Sequence, residues 1–423
     1  MIIKKSQIFN FHLNFIYLIS FSLILMPFFL ISGPFLPDLT VVICAIFAIY
    51  LFFKSGKSLF DIHPYLFIFF IWCIYLIIVS LSSIYPYKSL ESSLFYFRFG
   101  LFACCIYYVI NNYENFLKYF TISILISFLI LFIDGILQFY LGFNSIGMIK
   151  PSSRVSSFFG EELKLGSYIA RLSPLLFGLI IFLYGGTIKK IGFYLIILLI
   201  IVNILTFISG ERAAFLYIVF LDLFLIFFIK SINIYLRKNY LLITSFVILI
   251  SLSLGSSPFQ RMFKQTMDNF NSNNQFFIFS ESHHNIYMSA IEIYKEKIYF
   301  GIGPKNYRNY CVHDKYSQYF EFNQGECFSH PHNNYLQILL ETGIFSFIFF
   351  IIIFGLFIFY FLKNSFAYFF SNSLSYVKEY KLLLFLSIFI TLFPFIPTSN
   401  FFNNWISVIY FLPVGFYFAI KES

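Results

Sequence analysis

Long apolar runs separated by short polar breaks make up most of this chain. A helix rises about 1.5 Å per residue, so about 20 mainly apolar residues cross the hydrocarbon of a bilayer. Twelve runs reach that scale, at roughly 11–32, 35–53, 64–86, 93–110, 116–140, 166–185, 191–208, 212–230, 240–256, 334–362, 380–396 and 402–420. The fourth and sixth are interrupted by Arg98 and Arg171. The first follows a basic start, "MIIKK", and competes with a cleaved signal peptide. The length of Phe11 to Ser32, with no small-x-small pattern after it, favours an uncleaved span. The pattern predicts an all-α, polytopic membrane protein of about 12 helices in three parts: spans 1–9 in residues 1–256, a polar loop over 257–333, and spans 10–12 in 334–423. No internal repeat is visible.

Within the loop, "PFQRMFKQTMDNF" sets Phe259, Met262, Phe263, Met267 and Phe270 near helical spacing. Either a short helix on the membrane surface or a plain solvated loop fits that pattern. "SESHHNIYMSAIEIYKEKIYFGIGPKNY" predicts a helix that stops at the turn Gly301-Ile302-Gly303-Pro304.

Composition agrees with the pattern. Hydrophobic residues are 60% of the chain and charged ones 11%, against about 45–50% and 25% in soluble domains. The net charge of +9 is no nucleic-acid footprint, because the basic residues sit in ones and twos between apolar runs. With the N-terminus in the cytoplasm, Lys4, Lys5, Lys54, Lys57, Lys118, Lys189, Lys190, Lys230, Arg237, Lys238, Lys363, Lys378, Lys381 and Lys421 fall inside. The short outer loops then hold only Lys88, Lys150, Arg154, Lys164 and Arg212. This bias puts both termini inside and the 257–333 loop outside.

Six cysteines are present. Cys44, Cys73, Cys104 and Cys105 fall in spans and read as small packing residues. Cys311 and Cys327 share the outer loop. In an oxidising compartment they form a candidate disulfide just before His330; the alternative is two free thiols.

Ionisable groups at membrane depth are costly and mark cavities or partners. Arg98, Arg171 and Arg212 all fall near the outer face on this topology. Arg154 and Lys164 join them, and Arg308 approaches from the loop. Single arginines at span ends usually snorkel to headgroups. Several on one face point instead to a bound anion, and paired guanidinium donors suit a diphosphate. The stretch "HPHNNYLQILLETG" adds His330, His332, Asn333 and Glu341 at the same boundary. His332 is the natural proton acceptor, and His330 either shares that part or orients the loop. If buried, Glu341 is expected to pair with an arginine or a polar side chain. A metal site built from His283, His284, His330 and His332 matches no strong signature.

These motifs resemble the O-antigen ligase and O-antigen polymerase family of bacterial inner-membrane glycosyltransferases. The family's ligases carry His-(Asn/Ser/Gln), nine residues, then Gly at the end of a large loop. His332-Asn333, Asn334 to Thr342, and Gly343 match that spacing, while Phe347 departs from the Gly, Thr or Tyr that follows four residues on. "ISGERAAFLYIVF" is similar to a Ser-Arg-Gly-Ala segment, with Arg212 on the arginine, Glu211 for the Ser and Ala213 for the Gly. "IYFGIGPKNY" looks like the Gly-x-Gly turn before the histidine motif. His283 and His284 occupy the region where the family often has a loop arginine, with Arg308 as a substitute. The resemblance covers about residues 150–350 by motif.

It implies a donor glycan on undecaprenyl diphosphate, with the diphosphate against Arg212 and with Arg154 and Arg171 helping. His332 would take the proton of the attacking hydroxyl, and neither metal nor nucleotide cofactor is required. The acceptor would be lipid A-core for a ligase, or a growing lipid-linked glycan for a polymerase. Protein O-glycan transfer is a third reading. A non-enzymatic lipid-linked glycan flippase is the reading from another class. It would need charges along a path through the membrane, where the spans offer little below the outer face beyond Asp134 and Asp222.

Overall fold

The computed structural model describes residues 5–55, 64–151, 154–241, 260–264, 267, 281–319 and 327–420. Among these the architecture is helical, with one isolated bridge between Phe143 and Ile149. The helices are α1 (Lys5–Ile24), α2 (Met26–Ser32), α3 (Phe35–Ser55), α4 (Pro64–Leu81), α5 (Pro86–Ser93), α6 (Arg98–Asn112), α7 (Phe116–Leu141) and α8 (Leu165–Tyr184). They continue with α9 (Ile191–Ile208), α10 (Arg212–Phe228), α11 (Glu281–Glu296), α12 (Tyr307–Cys311), α13 (Asn334–Phe370), α14 (Tyr376–Thr391) and α15 (Asn404–Phe418).

Six of the described helices are long and apolar enough to cross a membrane, or seven if the bent pair α1–α2 is one span. That pair bends by 56°, next to Pro27, which has no N–H to continue the ladder. Tyr65–Leu81 and Asn404–Phe418 are apolar but shorter. The predicted ninth run, 240–256, lies outside the described residues apart from its first two. The amphipathic stretch around 257–270 is described only as a short helical turn at Gln260–Lys264 and at Met267.

Several predicted boundaries move. The third run stops at Leu81, where Ser82 and Ser83 hydroxyls donate to the carbonyls of Val79 and Ser80 at 3.0 and 2.8 Å. Such local bonds compete with helix continuation. The fourth run starts earlier, at Pro86, and breaks between Ser93 and Arg98. Past the break, Arg98 meets Asp38 at the start of α3, 2.6 Å away. The tenth extends to Phe370 rather than 362.

Burial separates the helices by role. In α8, 83% of the span is buried, against 17% in α13. The first therefore lies at the centre of the bundle and the second along its periphery. A Cβ on Gly178 of α8 would come within 3.0 Å of Tyr380 and 3.2 Å of Leu383 in α14. That residue lets two backbones approach closely, which is how helices pack where burial from water supplies no drive.

Candidate active site

The histidine segment is held by caps and turns rather than by a strand. Asn333 caps α13, its Oδ1 accepting the N–H groups of Tyr335 and Leu336 at 3.0 Å each. Its Nδ2 donates to the Pro394 carbonyl at 2.8 Å. The Thr398 N–H donates to the His332 carbonyl at 2.8 Å, and His332 adopts φ +53. That left-handed backbone costs a non-glycine residue roughly 1–3 kcal/mol and persists where surroundings over-determine it. The ring of His330 is engaged on both sides, with Nδ1 2.8 Å from Ser329 Oγ and Nε2 3.2 Å from the Thr398 carbonyl. The His332 ring stands among three others: His330 at 4.1 Å, His283 at 5.5 Å and Phe328 at 5.8 Å between centroids.

Gly343 and the Gly-x-Gly turn belong to one joint. Gly343 interrupts α13 with φ +78 and ψ 177, and the freed backbone is taken by the turn. Ile302 N–H donates to Leu340 O at 3.0 Å, Gly303 N–H to Glu341 O at 2.9 Å, and Ile344 N–H to Ile298 O at 2.9 Å. A Cβ at Gly343 would lie 2.1 Å from the Tyr299 carbonyl oxygen. Glu341 is fully buried and accepts the Lys305 N–H and the Gln337 amide, each at 2.9 Å. Gln337 passes the connection to Asn400 at 3.0 Å and to the Phe401 N–H at 2.8 Å. The carboxylate thus ties the turn to the helix, and the polar partner expected for Glu341 is Gln337 rather than an arginine.

The arginines gather at the start of α10. Glu211 accepts the N–H groups of Gly166 and Ser167 at 2.7 and 3.1 Å, so it caps α8 from across the bundle and anchors the residue before Arg212. Burial raises the Glu211 carboxyl to about 7, against the pull of Arg154. Gly210 sits between two arginines, its missing Cβ 3.3 Å from both Arg154 Cγ and Arg261 Cδ. Arg261 Nε donates to the Gly210 carbonyl at 3.0 Å. Arg154 reaches the Ser209 and Leu163 carbonyls at 3.5 Å each. Burial holds Arg154 below the usual guanidinium range, and the charges of Arg261 and Arg212 add to that.

The two sets meet at His283. It is lowered to about 4 by burial, then by the His332 ring and by the Arg212 charge. Burial and His332 lower His330 to about 3, with the exposed Arg308 contributing. His332 is lowered by burial. Desolvation disfavours the charged imidazole and nearby cations add to it, so all three rings are neutral at pH 7. Arg171 sits deeper, 3% exposed, with its charge acting on Glu211, its guanidinium 4.8 Å from the Tyr217 ring centroid and its Nε without a hydrogen-bond partner among the described residues.

Arg154, Arg212, His330, His332 and Arg308 are thus drawn into one electrostatic neighbourhood. Glu341 and Asn333 hold backbone, Arg171 is sunk in the bundle, and Arg98 is taken by Asp38. Cys311 and Cys327 are joined, with Cα atoms 6.0 Å apart, linking α12 to the segment before His330. Sequence reading missed two members, His283 and Arg261. A signal for the first existed: His283, Ile286, Tyr287, Ala290 and Ile293 recur at helical spacing, and Ile286, Ala290 and Ile293 are buried. Arg261 had none beyond being a cation in an apolar stretch. Among the described residues no group of three or more His, Cys, Asp or Glu is arranged to hold a metal ion.

No curated protein sequence matches this chain. Residues 193–351 match the model of a protein family, O-antigen ligase. The match takes in Arg212, Arg261, His283, Arg308, His330, His332 and the Gly343 joint, and leaves Arg154 and Arg171 outside it. Over residues 193–351, less than half of its 423 residues, this helical protein is therefore similar to the O-antigen ligase family.

Proposed function

We propose that the protein transfers a glycan from undecaprenyl diphosphate to the lipid A-core, at the periplasmic face of the bacterial inner membrane. The observation that carries this reading is the cluster of Arg154, Arg212 and Arg261, whose member Arg212 acts on His283, itself 5.5 Å from the His332 ring. Guanidiniums gathered at one place offer paired donors that suit the oxygens of a diphosphate. A neutral imidazole beside them can accept a proton.

In the transfer the acceptor hydroxyl oxygen attacks the anomeric carbon and its proton passes to His332. The bond from that carbon to the diphosphate oxygen breaks, and the electron pair leaves with the diphosphate. The arginines meet the charge growing on the leaving group, which is the electrostatic part of catalysis. The guanidiniums fill the role a divalent metal would otherwise take, so the reaction needs neither metal nor nucleotide. The orientation with both termini cytoplasmic, twelve spans and the 257–333 loop outside is part of this reading and rests on the lysine bias.

A polymerase would share donor and chemistry and differ in using a second lipid-linked glycan as acceptor. The His-Asn-x9-Gly spacing favours the ligase. Transfer to protein and a flippase without chemistry remain the other two outcomes of the test. That test is the surface polysaccharide of cells lacking the gene, together with their lipid-linked glycan. Bare lipid A-core with polymer retained on the carrier is the expected result. Core bearing a single repeat would make it a polymerase. An unchanged profile would overturn the reading in favour of protein transfer or transport.

A further inference from the structure

Two cavities among the described residues lie away from the histidines. Between α4, α13, α14 and α15 a groove of about 620 Å³ runs along the bundle, walled by Phe354, Phe357, Phe385 and Leu392 and reaching Lys363 and Lys381. A second cavity of about 250 Å³ shares its wall at Tyr65 and Phe350 and carries it on to Trp72 and Tyr410. The groove is of a size that takes an elongated ligand of many heavy atoms. Its outer wall is α13, the least buried of the spans, so it opens towards lipid.

Its charge lies at one end only. Lys363 is 20 residues beyond the Gly343 joint, about 30 Å along a helix. That equals the hydrocarbon thickness of a bilayer, about 30 Å. With Gly343 at the histidine side, Lys363 falls at the opposite headgroup layer. Lys381 in the first turns of α14 comes to the same end, its Nζ 5.5 Å from the Tyr417 ring. Asn364 completes the mouth.

We infer that this groove binds an anionic phospholipid of the leaflet opposite the active site, with its headgroup phosphate between Lys363 and Lys381 and its acyl chains along the aromatic wall. Basic pockets between membrane helices recognise anionic headgroups in this way. The donor's polyprenyl tail is the competing occupant. Its diphosphate belongs with Arg154, Arg212 and Arg261, so its tail would arrive from the far end and terminate against two ammonium groups. The charge of the groove therefore fits a lipid inserted head-down. This site does not depend on the acceptor used in the reaction.

Native mass spectrometry of the full-length protein, with equal phosphatidylglycerol and phosphatidylethanolamine added, tests it. The wild type should retain phosphatidylglycerol preferentially. Each lysine near an anionic lipid contributes about 1 kcal/mol, or about fivefold in affinity. The double variant Lys363→Gln, Lys381→Gln should therefore lose most of the preference while keeping its phosphatidylethanolamine adducts. Leu356→Trp, which fills the groove and leaves the lysines, should lower the adducts of both lipids. Undiminished preference in the double variant would overturn the proposal, as would full lipid retention by Leu356→Trp. One-for-one displacement of phosphatidylglycerol by undecaprenyl diphosphate would reassign the groove to the donor tail.

Discussion

Both ends of the bundle carry charges at helix termini, but they use them in opposite ways. At the end away from the histidines, Glu379 is fully buried and accepts from Lys230 N–H at 2.6 Å, Ser231 N–H at 3.1 Å and Tyr368 hydroxyl at 2.9 Å, with Ser231 hydroxyl as a further partner. Arg237 donates to the carbonyls of Ile226, Ile229 and Ile232 at 2.5, 2.6 and 2.8 Å, closing the C-terminal end of α10. The Lys230 ammonium sits on Ser371 and 4.6 Å from the Tyr368 ring centroid. Glu379, Arg237 and Lys230 each meet an opposite charge, dipole or ring. At the histidine end, burial and the charges of Arg261 and Arg212 lower Arg154, Arg212 adds to the lowering of His283, and three imidazoles crowd together. A fold optimised only for stability has no use for that repulsion. Around Glu379 the charges hold helices together; around Arg212 they suit the anion of the proposed donor.

The sharpest way to break this contrast is His332→Ala. General acid–base groups contribute about 10²–10⁴-fold. Glycan transfer in vesicles should fall by that order, while donor binding persists; turnover within a few-fold of wild type would remove His332 from the chemistry. Next comes Gly343→Ala. The added Cβ would collide with the Tyr299 carbonyl and dislodge the turn, so transfer should fall about tenfold or more, as small misplacements at active sites do. Limited proteolysis within 297–306 should rise alongside, and an unaltered digestion pattern would refute the joint.

Arg212→Lys keeps the charge and loses the paired donors. We expect donor kcat/KM to drop about tenfold, with acceptor dependence unchanged, as a lost charge-assisted bond of about 1.5 kcal/mol or more would give. Unchanged donor titration would count against a diphosphate at Arg212. Glu379→Gln should behave in reverse, lowering the thermal midpoint while turnover per folded molecule stays at the wild-type value. If turnover fell instead, the division between the two ends would fail.

The smallest effect is on pH dependence. His330 and His283 have folded values near 3 and 4, below the ordinary 6.5. Unfolded chains therefore bind more protons than folded ones between those values. Stability should be fully present above about pH 6.5, decline as pH falls through the window, and level off below about pH 3. Because His332 is also lowered, transfer should lose half its rate only below pH 6.5. A half-loss at 6.5 would mean that His332 titrates as an exposed imidazole.

Much of this was open to reading in one dimension. A bilayer demands runs of fixed length, so six or seven of the twelve predicted spans appear among the described residues as helices long enough to cross, and ends erred where serines or prolines intervened, as at Leu81 and Pro86. The motif His332-Asn333-x9-Gly343 was visible as spacing. Its structural part was not, because Gly343 receives a turn that comes from residues 298–303. Glu341 stood out as a charge inside an apolar run, yet its partners, Lys305 and Gln337, come from the turn and from its own helix. His283 and Arg261 were hidden for a plainer reason. They lie some 50 and 70 residues before His332 in the chain; helical spacing set His283 beside the buried face of its helix, and nothing local marked Arg261.

Sequence by itself determined that the chain is helical, that it lies in a membrane, and that arginines and histidines crowd towards one face. Those properties follow from the local free energy of placing each residue in hydrocarbon or water, which needs no partner. Tertiary structure decided which cations converge and which are neutralised, since that depends on distances across the bundle. Arg98 and Arg212 look alike in the chain. One found Asp38, and the other found His283.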